Sequence, residues 1–172
     1  DKVMDVAVKN GKIAKVAKKI DSKNASQVVD AKGLYVTPVL IYIHAHVFYG
    51  TQPDQYISNS FTSVPPDGFT FRVGVTTVVD CGSAGWKSFP IFKENIIDNS
   101  STRVLSFLNI VGEGMRGGAY EQDTSDMDAK LSADVARRYK DYVVGFKVAH
   151  YAPNDWIPVD RAVEAGKLAG DI

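Results

Sequence analysis

The sequence predicts an α/β fold: a small β element over residues 1–38, then four strand–helix units over residues 39–172. Three observations carry this. Asn10-Gly11 separates two alternating apolar runs, 4–9 and 12–17, and such a pair supplies the positive φ angles that a tight hairpin turn requires. Beyond Pro38, apolar β-branched runs alternate with segments whose apolar residues recur at helical spacing, which implies parallel strands joined by helical crossovers. The chemistry-bearing residues His44, His46, Asp80, Asn109 and Lys147 fall at or near the carboxyl ends of the predicted strands, where parallel α/β folds gather their active groups.

In chain order, the hairpin is followed by a third short strand over 27–30, a turn at Ala31-Lys32-Gly33, and the apolar triplet Leu34-Tyr35-Val36. Residues 39–43 form a nearly continuous apolar run, as in a strand buried on both faces. A polar and aromatic loop runs over 49–66. Asp67 is then placed to cap a short helix, 68–73, that ends at Gly74. Residues 75–80 read as the second buried strand and 82–85 as a loop. A helix is expected over 87–98, with Pro90 in its first turn, the only place where the ring is tolerated. Residues 103–110 give a third strand, 112–118 a glycine-rich loop, and 125–140 a helix capped by Ser125 or Asp126. Residues 143–148 are the fourth strand. A last helix starts near Pro158 and stops at Gly170.

Composition narrows the function classes. With 172 residues, 45% of them hydrophobic, the chain can bury a real core. Lys plus Arg number 20 and Asp plus Glu number 20, so no basic surface is available for nucleic acid or an anionic membrane. No run of about 18 apolar residues suggests a transmembrane helix. The lone Cys81 fits a reducing compartment and reads first as a small buried residue. No signal peptide is visible, and the sequence looks cut at both ends, so that absence says little about targeting.

His44 and His46 lie two apart at a strand end, so they project to one side while Ala45 faces the other. Two such imidazoles suit a divalent metal. Lys147 is a lysine within an apolar strand, where an isolated ammonium is costly. A carboxylate partner, a Schiff base, or carbamylation to an anionic oxygen ligand would each relieve it, and an alternating strand could instead let it snorkel to solvent. Asp80 is expected to cap the loop after its strand or to serve the site. His150 stands in a loop where it touches substrate or lies on the surface. Arg116, in the glycine-rich loop, is a candidate for a substrate carboxylate. The phosphate-loop, G-x-G-x-x-G and G-x-S-x-G patterns are absent. From the residues alone, a doubly wound sheet and half of a barrel both remain open, as does an unrelated α/β domain complete at this length.

The ordered segments resemble a known family. The hairpin, then Val28-Val29-Asp30-Ala31-Lys32-Gly33-Leu34-Tyr35-Val36-Thr37-Pro38, then Leu40 to His46, then Gly74 to Asp80, then Gly145-Phe146-Lys147, resemble the amidohydrolase superfamily, most nearly its dihydroorotase-like deacetylase branch. The resemblance runs over essentially the whole chain. It implies a (β/α)8 TIM-type barrel, with the first four βα units in residues 39–172, and a small N-terminal β-sandwich element to which residues 1–38 contribute. It also implies that His44 and His46 bind the more buried of two Zn2+ ions and that carbamylated Lys147 bridges the pair. The remaining ligand histidines and the general-base aspartate are expected beyond Ile172.

The activity so implied is hydrolysis of an amide or cyclic-amide bond in a small-molecule substrate through a metal-activated hydroxide. The 172 residues alone are expected to be inactive. A cytoplasmic location and a homo-oligomer follow as expectations, since half a barrel leaves strand edges that invite pairing with another copy. Two departures stand out: Val39 replaces the family's usual glycine, and Tyr42 replaces its usual aspartate. Tyr42 shares strand parity with the histidines and is expected beneath the metal. It favours the alternative of a non-catalytic binding or assembly protein with the same fold.

Overall fold

The computed structural model describes residues 2–172. The chain divides into two compact units, Asp1–Pro38 and Val39–Ile172. In the first, β1 (Asp5–Lys9) and β2 (Lys12–Ala17) pair antiparallel, with a bulge between Ala7 and Val8. Asn10 and Gly11 take φ of 53° and 70°, the two positive angles that the expected turn needs. Beyond the hairpin, Ile20 N–H donates to the Asp5 carboxylate at 2.8 Å. The strand expected over 27–30 does not form. Its valines, like Leu34, Tyr35 and Val36, are exposed, and among the described residues no strand pairs with this stretch. A lone extended segment leaves its backbone groups to water, so the propensity of Val28-Val29 is not enough by itself. Among the described residues this unit therefore holds a two-stranded hairpin, without the second sheet that a sandwich would need.

The second unit holds β3 (Leu40–Ala45), β4 (Val75–Gly85), β5 (Arg103–Asn109) and β6 (Val143–Lys147), all parallel and in spatial order β3-β4-β5-β6. Between them run α1 (Phe89–Phe92), which widens into a π turn over Lys93–Ile97, and α2 (Ala129–Arg138); α3 (Ile157–Ala169) follows β6. Spatial order follows chain order without reversal. A doubly wound sheet reverses its order and carries helices on both faces. Here Val78, Val104, Leu108 and Val143 of the strands share one cluster with Phe89 and Phe92 of α1 and Val135 and Ala136 of α2. The helices therefore cover one face, the winding of a barrel rather than of an open doubly wound sheet. On β5 the burial alternates accordingly: Val104, Ser106 and Leu108 are buried, while Leu105 and Phe107 on the other face are only half-buried. The sheet does not close among the described residues.

Several expectations are corrected locally. Leu40 to Ile43 are exposed rather than buried on both faces, because β3 is the edge strand and has a partner on one side only. Residues 66–73 form two 3-10 turns, Pro66–Gly68 and Thr70–Val73, in place of one helix. Asp67 does not cap them; it accepts from the backbone N–H of Ser101 and Thr102, each at 2.8 Å, and from the Thr102 hydroxyl. The segment 82–85, expected as a loop, continues β4 as a buried, irregular extension. The cap of α2 is Asp128, whose carboxylate accepts from Lys130 and Leu131 N–H at 2.9 Å each, while Ser125 and Asp126 sit in a separate 3-10 turn. The last helix behaves as expected, with Pro158 in its first turn and Gly170 as its left-handed cap at φ 105°.

The core is aromatic at its centre. Phe48, Phe89, Phe92 and Leu108 are fully buried, and the Phe48 and Phe92 rings lie 4.8 Å apart. Each such side chain contributes about 1.5–3 kcal/mol on burial. This layer fixes the strands, and the strands carry the candidate site at their carboxyl ends.

Candidate metal centre

His44 lies near the carboxyl end of β3 and His46 just past it. Their rings are 5.5 Å apart, edge to face, and Ala45 between them is buried in the helix-covered cluster. His44 is exposed and His46 half-buried. His46 Nδ1 lies 3.1 Å from the Ser83 hydroxyl. Burial pulls the His46 pKa down to about 4, and the charges of His44, Lys147 and His150 push the same way. The ring is therefore neutral at pH 7, the form that ligates metals. With Nδ1–H donated to Ser83, the Nε2 lone pair is left for a ligand role.

Tyr42 is not beneath this pair. The β3–β4 register slips between Tyr42 and Ala45, and that bulge breaks the alternation on which the parity argument depends. Tyr42 pairs with Val78, and its ring meets Phe69 edge-on at 6.2 Å; both of these belong to the covered cluster or pack against it. The bulk expected below the histidines lies on the opposite side, and with it goes the ground on which Tyr42 favoured a non-catalytic relative.

Four consecutive residues of β4 hold the site together. Asp80 is fully buried and accepts from Val47 N–H at 2.8 Å and from Ser83 N–H at 2.7 Å. It thus ties the residue after His46 to the residue that His46 touches. Burial pushes its carboxyl up to about 6, against the pull of those hydrogen bonds. Cys81 is buried, as expected, with its thiol 3.8 Å from the Ile43 carbonyl, and burial pushes the thiol pKa up. Gly82 has φ 80°, and a Cβ there would lie 2.6 Å from Lys147 Cγ and 2.7 Å from Lys147 Cβ. The lysine stem passes through the space that this glycine leaves. Ser83 completes the run with its contact to His46.

Lys147 ends β6, opposite Asn109. It is half-buried, and none of the ion pairs among the described residues includes it. Asn109 braces the strand ends, since its amide donates to the Gly82 carbonyl at 2.9 Å and its oxygen accepts from Val111 N–H at 3.0 Å. Arg116 is engaged as well, 3.3 Å from the Glu113 carboxylate and 4.1 Å over the Tyr120 ring. The structure places His44 and His46 side by side at the end of β3 and Lys147 at the end of β6, and holds Asn109 and Arg116 in other contacts. A cavity of about 470 Å³ between Trp86, Lys87, Tyr120 and Asp126 includes none of the three. Its Lys87 is already paired with Asp126 at 2.7 Å and Glu113 at 3.2 Å.

The imidazoles suit a divalent cation, one of them neutral and half-buried and the second beside it; the Lys147 ammonium would join them only as an anionic derivative. Among the described residues no group of three His, Cys, Asp or Glu side chains converges as a metal site. Sequence reading missed Gly82 and Ser83, which it placed in a loop, although a glycine directly after a strand-end Asp-Cys signals a close approach of backbone and side chain.

Known proteins resemble this chain. No family model matches the sequence. A deacetylase of Agrobacterium fabrum is 30% identical over 166 residues, 92% of this chain and 39% of its own length. A deacetylase of Brucella anthropi is 29% identical over 98% of this chain and 42% of its own length. The crystal structure of a dihydroorotase superposes with a TM-score of 0.75 at 26% identity, covering 96% of this chain and 44% of that one. The resemblance to the deacetylase and dihydroorotase branch of the amidohydrolase superfamily is thereby shown. The chain spans about two fifths of the length of the curated relatives it matches.

Proposed function

We propose that this relative of amidohydrolase-superfamily deacetylases contributes the first metal ligands of a hydrolase that cleaves the C–N bond of an amide or cyclic amide. The observation that supports it most is the placement, at the carboxyl end of one parallel sheet, of two adjacent imidazoles at the end of β3 and of Lys147 on β6. His44 and His46 would hold the metal, and Lys147, carbamylated, would bridge to a second one. Zinc suits the imidazole donors. When bound, such a metal supplies Lewis acidity and lowers the pKa of water toward neutrality.

The chain's own residues have definable roles. Ser83 and Asp80 fix the orientation of His46, so that one ring nitrogen stays free. Gly82 sets the path of the Lys147 stem. The phenyl ring of Phe107 and the Leu105 side chain give the uncovered face an apolar floor, on which an amide substrate would lose water. No described carboxylate stands free beside the histidines to act as general base, because Asp80 is occupied by two backbone N–H groups. The 172 residues alone are therefore proposed to be inactive, and the full activity, a barrel closed by further strands and a cytoplasmic location belong to the same proposal. No helix among the described residues is long and apolar enough to cross a membrane.

The test is zinc-edge anomalous diffraction on crystals of the intact protein. The expected result is metal density at His44 and His46, with extra density for a carboxylate on Lys147. Density at neither histidine in zinc-soaked crystals would overturn the reading.

A further inference from the structure

The β1–β2 turn carries a reactive pair that the candidate metal centre does not use. Asn10 and Gly11 are its two central residues, both exposed, with φ of 53° and 70°. Of the asparagines in the chain, only Asn10 is followed by glycine. A glycine nitrogen has no side chain beside it to hinder its approach to the carboxamide of the residue before. The register pairs Lys9 with Lys12, so the ladder bonds belong to those two residues and the Gly11 N–H stands outside them.

The chain holds its own comparison. Asn99 is also exposed and precedes Ser100, but its side-chain amide donates to the Glu94 carbonyl at 2.7 Å and to the Asn95 carbonyl at 3.3 Å. Those bonds hold its carboxamide back over the preceding turn, away from the Ser100 nitrogen. Asn109 is tied likewise, its amide to the Gly82 carbonyl and its oxygen to Val111 N–H. Charge near Asn10 favours reaction. A backbone nitrogen attacks only after losing its proton, and the ammoniums of Lys9 and Lys12 at the two ends of the turn stabilise the anion so formed.

The turn itself restrains the step. In the five-membered ring that would form, Asn10 Cβ and Gly11 N are eclipsed about the Cα–C bond. On a left-handed residue, with ψ of about 30–60°, they stand nearly opposite, so the turn must open before the ring closes. Opening is easy here. β1 and β2 form a two-stranded sheet by themselves, which is marginal in water. Val6, Val8, Ile13 and Val16 on one of its faces are exposed, and the like charges of Lys9 and Lys12 lie directly opposite each other.

We propose that Asn10 is a site of spontaneous self-modification gated by opening of the β1–β2 hairpin: the Gly11 nitrogen closes on Asn10 Cγ, and water then opens the ring to aspartate and isoaspartate. The N–Cγ bond forms as the Cγ–Nδ2 bond breaks. The Gly11 amide proton passes to solvent, and the departing nitrogen takes up a proton and leaves as ammonia. Water then adds to one of the two ring carbonyls. Addition at Cγ gives aspartate. Addition at the main-chain carbon gives isoaspartate, whose backbone runs through Cβ. One water is consumed, one ammonia is released, and nothing is oxidised or reduced. Isoaspartate puts an extra backbone atom between Lys9 and Lys12, so the two-residue turn cannot re-form and the hairpin register is lost. The change is one-way and needs no partner enzyme.

The test is peptide mapping by mass spectrometry of the chain held at mildly alkaline pH, either folded or unfolded in urea. The expected result in the folded chain is a gain of one dalton at Asn10 ahead of every other asparagine, with isoaspartate among the products. The folded chain is expected to react more slowly at Asn10 than the unfolded one, but by less than about a hundredfold, because a lone hairpin is marginal. A gain of mass first at Asn99, or aspartate without isoaspartate, would overturn the proposal. Equal rates in the folded and unfolded chains would remove the gate. A slowing of more than about a hundredfold would show a hairpin too stable to open, and would overturn it as well.

Discussion

Replacing Gly82 by Ala probes the site without replacing a candidate ligand. The added Cβ would lie 2.6 Å from Lys147 Cγ and 2.7 Å from Lys147 Cβ, where ordinary contact begins near 3.4 Å. The Cγ could swing aside by rotation about χ1. The Cβ cannot, because it is fixed to the β6 backbone, so the strand itself must retreat by about 0.7 Å. Overpacking of this kind costs about 1–3 kcal/mol. Alanine at φ 80° adds about 1–2 kcal/mol of backbone strain. The sum, about 2–5 kcal/mol, is a large part of the 5–15 kcal/mol that typically holds a domain. With a urea m-value of about 1–3 kcal/mol/M, the unfolding midpoint should fall by roughly 1–2 M.

Gly118→Ala supplies the control for Gly82→Ala. Gly118 also has positive φ, 56°, yet a Cβ there meets nothing within 4 Å. It should cost the strain alone, and the difference between the two midpoints reads the contact with Lys147. Zinc affinity should fall in Gly82→Ala and not in Gly118→Ala. If the two variants unfold at the same urea concentration, the Lys147 stem does not lie over Gly82, and the account of the lysine's placement fails.

Two further predictions follow from the same geometry. Asp80 has a folded pKa of about 6 against an ordinary value of 3.8, so the folded state binds more protons and stability falls as pH rises from about 4 to 6. The loss is on the order of 3 kcal/mol by pH 7. In Asp80→Asn that slope should vanish, at a fixed cost of about 1–3 kcal/mol for the N–H of Val47 or Ser83 left facing an amide NH2. Urea midpoints of both proteins from pH 4 to 7.5 decide it, and a wild-type advantage that grows with pH would contradict the assignment. At the β3 edge, Leu40 to Ile43 are exposed and unpaired on one side, so the 172-residue chain should self-associate. Ile41→Lys should reduce the mass seen by light scattering, and an unchanged mass would place the contact elsewhere.

How much of this could be read from the sequence depends on how local the cause is. The Asn10-Gly11 turn, the Pro158 start and the Gly170 stop are dictated by φ preferences of single residues, and each stands where expected. The β4, β5 and β6 strands are set by apolar runs that the helix layer buries; β5 and β6 each end one residue early, while β4 runs on past Asp80 to Gly85. Val28-Val29 does not become a strand because pairing is not local. Asp67 resembles a helix cap in its local sequence, but its partners, Ser101 and Thr102, lie more than thirty residues away. The histidines and Lys147 were legible as residue types at strand ends. Their dependence on Gly82 and Ser83 was not, since it arises from contacts between strands far apart in sequence.

The tyrosine at position 42 shows how a short irregularity can reverse a functional inference. Period-two alternation puts Tyr42, His44 and His46 on one side, and on that basis a phenol would fill the space where the family usually has a carboxylate. The register slip between Tyr42 and Ala45 inserts one extra step, so Tyr42 joins Val78 and Phe69 while the histidines keep the opposite side. The slip is fixed from β4: Asp80 holds Val47 N–H, and the Cys81 thiol lies by the Ile43 carbonyl. A buried carboxylate that costs stability at neutral pH stands where it ties Val47 and Ser83 on either side of His46. That exchange of stability for geometry is characteristic of sites that act on a ligand. It also places the weight of the site on β4, which supplies no ligand of its own.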